Sequence, residues 1–133
     1  MKVALLTNEF PPDIYGGAGI HIQYLSKELR EFCSVEARAF GNQNDTEENL
    51  HALGFSKKLD LSPADSRFSK ILKPLDINLQ WAASLNDIDI LHCHTWYSHF
   101  GGVLASKLLQ KPLILTTHSL EPHRPWKAEQ LGA

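Results

Sequence analysis

The chain has 133 residues, enough for one domain with a hydrophobic core. It carries 13 Lys and Arg against 15 Asp and Glu, so bulk charge gives no basis for binding nucleic acid or a membrane surface. No apolar run approaches the ~20 residues that a bilayer span requires, and no signal-peptide pattern precedes the first strand. The two cysteines, Cys33 and Cys93, are interpreted as buried thiols, which makes the cytoplasm the expected compartment.

Strand and helix patterns alternate along the chain. Strands are predicted from short apolar runs at residues 3–7, 35–40, 88–93 and 113–117. Helical periodicity occupies residues 22–32, 66–85 and 100–108, and further helices are predicted at residues 49–53 and 124–131. Pro74 should break or kink the second of these helices, and residues 41–48 are polar enough for a loop. The order predicts an α/β fold, a Rossmann-like parallel sheet with helices on both faces.

A glycine turn joins the first strand to the first helix. Residues 15–19 read YGGAG, and the unpaired N–H groups of a helix N-terminus attract anions, most often phosphate. The turn is neither a dinucleotide fingerprint nor a P-loop, because its spacing differs from both. A tight turn without a ligand is the alternative, although three glycines in four positions exceed what a turn requires.

Polar and aromatic residues follow three of the predicted strands, at residues 8–19, 94–99 and 118–124. In open parallel sheets, ligands bind beyond the carboxyl ends of the strands, so these segments should form one rim. His92 and His94 alternate on a strand, but without further ligands at a fixed spacing they favour a hydrogen-bonding role, and no metal site is predicted. Trp81 lies in mid-helix and is expected in the core, whereas Trp96 could stack on a sugar ring.

Four segments together resemble retaining glycosyltransferases of family four. They are residues 2–12 (KVALLTNEFPP), the GGAG turn, residues 92–97 (HCHTWY) and residues 117–132 (THSLEPHRPWKAEQLG). The similarity covers nearly the whole chain, is weakest over residues 41–65, and is strongest to bacterial glycogen synthases and maltose-1-phosphate synthases of the actinobacterial type.

The resemblance implies a two-domain architecture called GT-B, in which two Rossmann-like halves face each other across a cleft. Residues 1–133 would be the N-terminal, acceptor-side half, truncated so that the C-terminal half that grips the donor nucleotide is absent. A chain with half a cleft should be inactive alone, and the surface that the missing half covers could support a homo-oligomer.

The resemblance also implies roles for individual residues. His118 would act as the catalytic residue by hydrogen-bonding the transferred sugar. The donor diphosphate would bind at the backbone of Gly16, Gly17, Ala18 and Gly19. Residues near the acceptor would be Thr95, Trp96, Ser119, Arg124 and Lys127. No cofactor and no metal are expected.

The implied reaction transfers glucose from a nucleotide sugar, with ADP-glucose expected, to an α-glucan or to glucose 1-phosphate in glycogen synthesis. Ile14 and Thr95 stand where the classical synthases have a lysine and an aspartate, which favours a small acceptor such as a sugar phosphate. The alternatives are a non-catalytic ligand-binding module and half of a sugar-nucleotide epimerase.

Overall fold

The computed structural model describes residues 1–119. The elements in chain order are β1 (Lys2–Leu6), α1 (Gly17–Leu29), β2 (Ser34–Phe40), β3 (Asn44–Glu47), β4 (Leu50–Phe55), a 3₁₀ turn (Ser66–Phe68), α2 (Ser69–Ser84), β5 (Ile90–His94), α3 (Trp96–Leu109) and β6 (Leu113–Thr116). The helix predicted at residues 124–131 lies outside the described residues. None of the described helices has the length and apolar character needed to cross a bilayer.

The six strands form one sheet in the order β3-β4-β2-β1-β5-β6. All neighbours are parallel except β3 and β4, which pair antiparallel. The chain moves outward from β1 to β2 and β4, then returns to place β5 on the other side of β1. The strand order therefore reverses between β1 and β5, and ligands bind at such a switch point in open α/β sheets.

Apolar side chains cover both faces of the sheet, as a parallel sheet requires. In β1, Val3 and Leu5 pack toward α1, whereas Ala4 and Leu6 pack toward α2 and α3. Trp81 is fully buried on the side of the sheet that α2 and α3 cover, so its predicted core position is confirmed. The mostly parallel sheet covered by helices is the predicted Rossmann-like α/β architecture.

The prediction of a short helix at residues 49–53 is wrong. The segment belongs to β4, which pairs with β2 in parallel register from Val35 opposite Leu50. Short apolar runs do not separate helix from strand by their pattern alone. Pairing decides here, because a helix would leave the edge of β2 without hydrogen-bond partners. The polar stretch predicted as a loop at residues 41–48 contains β3, which closes a hairpin onto β4.

Helix α2 continues through Pro74 rather than breaking there. Proline removes the backbone donor that would bond the Lys70 carbonyl one turn earlier. On the next turn, Asn78 Nδ2 donates to the Pro74 carbonyl at 2.6 Å. Asn78 also accepts the Gly101 N–H at 2.6 Å, and so ties α2 to α3. Burial of Ile77 and Trp81 on the same helix outweighs the lost bond.

Both cysteines are free thiols in the interior, as predicted. Burial raises the pKa of Cys93 to about 12, although a hydrogen bond with Ser98 lowers it in part. Helix α3 sits so close to β5 that a Cβ at Gly102 would lie 2.0 Å from Cys93 Sγ and 3.1 Å from Leu113 Cδ1. Glycine is therefore required at position 102 by packing.

We expect Gly102→Ala to lower the free energy of unfolding by about 3 kcal/mol, because α3 must move off the sheet to admit a methyl group. Urea unfolding of the chain measures this change. Combining it with Cys93→Ala should restore much of the loss, since that substitution removes the clashing sulfur. Exposed Val103→Ala on the same helix is the control, with a change of about 0.5 kcal/mol or less. Equal stability of Gly102→Ala and the unsubstituted chain would contradict this packing argument.

Candidate active site

At the switch point, a side-chain hydrogen bond joins the segments that follow β1 and β5. Thr95, directly after β5, donates its hydroxyl proton to Asn8 Oδ1 after β1, at 2.9 Å. Thr95 has φ 66°, a left-handed conformation that a β-branched residue rarely adopts. Such strain costs about 1–3 kcal/mol and concentrates at functional sites. It is consistent with a functional position at the rim that the sequence predicted.

Helix α1 presents an open N-terminus at this rim. Gly16 is the N-cap residue, with no side-chain cap and no acidic residue in the first turn. A Cβ at Gly16 or Gly17 would meet nothing within 4 Å, so a ligand can approach the backbone closely. The first-turn N–H groups, from Gly17 onward, have no partner within the helix and can face an anion.

The Gly16 N–H, which was also expected to bind the diphosphate, is already paired within the chain. Glu9 Oε2 accepts the N–H groups of both Tyr15 and Gly16 at 2.9 Å, so the Gly16 donor is already used. Gly19 is buried against the same carboxylate, where a Cβ would lie 2.6 Å from Glu9 Oε2. Gly19 is thus needed for packing, and the open backbone is that of Gly17 and Ala18. The sequence analysis did not single out Glu9, because Glu9 reaches the N–H groups of Tyr15 and Gly16 only when the loop between β1 and α1 folds back on itself.

Four histidines meet beneath the glycine turn. His92 and His94 lie on the same face of β5, with ring centroids 4.0 Å apart. His94 Nδ1 is 3.0 Å from Nε2 of His118, the expected catalytic residue, which follows β6 with φ 55°. The ring of His21, on α1, lies 5.0 Å from that of His118, centroid to centroid. No sequence pattern pointed to His21, because only the packing of α1 on the sheet brings it here.

The pKa values of His92, His94 and His118 are lowered, which favours their neutral forms at pH 7. Burial, followed by the neighbouring histidines, lowers the pKa of His94 to about 2. Burial and His21 lower the pKa of His118 as well, against a raising effect from Glu9. A neutral imidazole carries one donor and one acceptor nitrogen. His118 can therefore hydrogen-bond a sugar hydroxyl without bringing a full positive charge.

Beside the glycine turn lies a cleft of about 460 Å³. The Trp96 ring is half exposed and stacks on that of Tyr97 at 4.1 Å between centroids, giving the cleft an aromatic wall. Lys70 and Lys73 of α2 also line the cleft and form no ion pair within residues 1–119. The remaining lining residues are Asn8, Asp13, Tyr15, Phe40, Gly41, Ser69 and Pro74.

The structure brings only some of the expected acceptor residues to this cleft. Trp96 lines it directly, and Thr95 is bonded to Asn8, which also lines it. Ser119 is half-buried, donates its N–H to the Thr117 carbonyl at 2.6 Å, and does not line the cleft. Arg124 and Lys127 lie outside the described residues. The two lysines of α2 were missed, although their spacing of three residues on a helix places them on one face.

Comparison with known proteins gives the family. Residues 15–132 match the model described as Glycosyltransferase Family 4. The chain belongs to this glycosyltransferase family. The family expected from the four sequence segments is confirmed by this match.

Three relatives illustrate the match. The alpha-maltose-1-phosphate synthases of Mycolicibacterium smegmatis and Mycobacterium tuberculosis are each 39% identical over 132 residues, 99% of this chain. An uncharacterized glycosyltransferase of Methanocaldococcus jannaschii is 27% identical over 123 residues, 91% of this chain. The chain spans 32% of the length of each of these relatives.

Proposed function

We propose that the chain is the N-terminal, acceptor-side half of a retaining glycosyltransferase of the GT-B type. The C-terminal domain, which would carry the nucleotide site, would lie within the roughly two thirds of the relatives that the chain does not cover. The chain joined to such a C-terminal domain is called the two-domain enzyme below. The observation that carries the proposal is the open N-terminus of α1 on the same rim as His118 and the aromatic cleft.

On the donor side, the N–H groups of Gly17 and Ala18 would hold the diphosphate of a nucleotide sugar, with ADP-glucose as the expected donor. Negative charge builds on the departing diphosphate in the transition state. Fixed donors at that position stabilise the charge by about 3 kcal/mol each in comparable oxyanion sites. The partial positive charge at the N-terminus of α1 acts in the same direction.

On the acceptor side, the cleft would hold glucose 1-phosphate or the end of an α-glucan. The exposed Trp96 face offers a surface for a sugar ring, and Lys70 and Lys73 offer positive charge for a phosphate. Two relatives are named alpha-maltose-1-phosphate synthase, and such a product contains a phosphorylated sugar. We therefore favour glucose 1-phosphate as the acceptor, a role in glycogen synthesis, and a cytoplasmic location.

The proposal is tested by incubating the two-domain enzyme with ADP-glucose or UDP-glucose and glucose 1-phosphate. We expect a disaccharide phosphate and the free nucleoside diphosphate as products. The 133-residue chain alone should give neither, because binding energy from both halves is needed to position the reactants. Release of the nucleotide without a new glycosidic bond, or conversion of the donor to an epimer, would contradict the proposal.

The lysines of α2 should decide between phosphorylated and neutral acceptors. We expect Lys70→Ala with Lys73→Ala in the two-domain enzyme to raise KM for glucose 1-phosphate by about 30-fold, since charge-assisted hydrogen bonds contribute about 1.5–3 kcal/mol. KM for maltose should change little. Lys107→Ala, on the exposed end of α3, is the matched control. An equal rise in KM for both acceptors would show that the lysines do not read the phosphate.

The second domain should cover an apolar surface that the chain leaves open. Phe100 and Val103 are exposed on α3, and Ile114 and Leu115 are exposed on the two faces of β6, the edge strand of the described sheet; each of the four is more than 40% exposed. Such patches tend to find partners. We expect the chain alone to self-associate through this surface in sedimentation velocity, and Ile114→Lys to reduce that association. Monomeric behaviour at all concentrations would contradict this expectation.

A further inference from the structure

Three of the clustered histidines come from three separate elements and point their ring nitrogens at a common centre. His21 comes from α1, His94 from β5, and His118 from the segment after β6. One nitrogen from each ring lies within 4.8 Å of the other two. His94 is fully buried, whereas His21 and His118 are exposed, so the centre can be reached from solvent.

The geometry is close to that of a three-nitrogen metal site. Two nitrogen ligands of a tetrahedral Zn²⁺, each ~2.0–2.1 Å from the metal, are about 3.3 Å apart. His94 Nδ1 and His118 Nε2 are 3.0 Å apart, so an ion can replace the proton between them with small shifts. That proton moves to His94 Nε2, which has no acceptor in the described part of the chain. The metal–nitrogen bonds must therefore outweigh the cost of one unpaired buried donor.

His21 supplies the third ligand at little cost. It is an exposed side chain on the first turns of α1, and its ring already contacts both partners, at 5.0 Å from His118 and 5.6 Å from His94 between centroids. The charge of Glu9 acts on His118 and favours a cation nearby. Cys93 takes no part, because it points to the other face of the sheet under Gly102.

We propose that His21, His94 and His118 form a binding site for a divalent transition-metal ion of the zinc class, with the fourth position open to solvent. Imidazole is a ligand that suits Zn²⁺, Cu²⁺ and Ni²⁺. Because His118 is a ligand, the bound ion withdraws this side chain from the sugar. The ion therefore acts as an inhibitor of transfer. This last consequence rests on the proposed function, whereas the binding site does not.

The site is tested by titrating the metal-free 133-residue chain with zinc chloride in a calorimeter. We expect one zinc ion per chain. His21→Ala, at an exposed position where folding should be unaffected, should weaken binding by roughly 100-fold, at or beyond the loss known for ligand-supporting residues. His51→Ala, on β4 away from the cluster, is the matched control and should bind as the unsubstituted chain does. Circular dichroism checks that each variant is folded.

Absence of saturable binding up to millimolar zinc would overturn the proposal, and so would equal affinity of His21→Ala and the unsubstituted chain. The inhibition is measured separately on the two-domain enzyme. Zinc should suppress transfer, and the same suppression should require roughly 100-fold more zinc in His21→Ala. If the zinc-free two-domain enzyme shows no transfer, the proposed function fails while calorimetry still decides the metal site.

Discussion

We expect His118→Ala in the two-domain enzyme to lower kcat by about 100- to 1,000-fold, with little change in the dissociation constant of the donor. A contact that strengthens in the transition state changes turnover rather than ground-state affinity. The substitution removes the imidazole that would hydrogen-bond a hydroxyl of the transferred sugar and hold the sugar ring in place while its bond to the diphosphate breaks. The loss corresponds to about 3–4 kcal/mol of transition-state stabilisation.

The hydrogen bond between His94 and His118 determines which nitrogen of each ring carries the proton. His94 Nε2 is buried without a hydrogen-bond partner in the described part of the chain. A buried donor without an acceptor is more costly than a buried acceptor with a free lone pair, so the proton of His94 is favoured on Nδ1. His94 then donates to His118 Nε2 at 3.0 Å, and the His118 proton sits on Nδ1. His118 would thus face the sugar as a fixed donor.

The melting temperature, measured beside kcat and the donor dissociation constant, separates catalysis from folding. His51→Ala serves as the matched control and should retain the original kcat. If His118 were only a structural residue, the variant would lose stability and keep its turnover per folded molecule. Turnover at the unsubstituted level would remove His118 from the active site.

Glu36→Ala should be the most destabilising change of charge in the described part of the chain, at about 3–5 kcal/mol. Glu36 contacts Lys2 Nζ and Arg38 Nε at 2.6 Å each. Arg38 also donates to Ser84 Oγ at 2.5 Å, which links β2 to the end of α2. Removing the carboxylate leaves the 7% exposed Arg38 side chain as an uncompensated buried charge.

The same ion pairs predict how stability depends on pH. Burial alone would raise the pKa of Glu36, but hydrogen bonds and charges from Lys2 and Arg38 outweigh it and hold the pKa below 4.5. This contribution is complete above about pH 4.5 and is lost as the pH falls through the folded pKa. The stability difference between Glu36→Gln and the unsubstituted chain should therefore shrink in acid.

Urea unfolding between pH 3 and pH 7 measures both effects. The matched control is Glu47→Ala, which breaks the exposed pair between Glu47 and Arg30. Exposed pairs contribute about 1 kcal/mol or less, so this variant should remain close to the unsubstituted chain. Equal losses for Glu36→Ala and Glu47→Ala would show that burial does not strengthen the Glu36 pairs.

Local patterns predicted most of the sheet but not its far edge. β1, β2, β5 and β6 are short apolar runs flanked by turn residues, and each was predicted within a few positions. β3 reads NDTE, with every residue exposed, so no apolar pattern marks it. Its pairing with β4 is a tertiary effect. The continuity of α2 through Pro74 is likewise decided by burial of the rest of the helix.

The rim could be located from sequence, because parallel strands end at the same edge of a sheet. The contacts within it could not. Glu9 lies seven residues before Gly16, and nothing local shows that it uses the Gly16 N–H. His21 and His118 are 97 positions apart in the sequence and meet only after α1 packs on the sheet. Lys70 and Lys73 line the cleft because α2 packs against α3, which begins with Trp96.

The central claim is that the N-terminus of α1 binds the donor diphosphate. The most direct measurement is the backbone amide NMR shift of Gly17 and Ala18 in the two-domain enzyme during titration with ADP-glucose. We predict that both amides shift in step with donor binding, while the amide of Gly54, which is bonded to the Gln43 carbonyl, stays in place. Donor binding established by calorimetry with Gly17 and Ala18 unmoved would contradict the account.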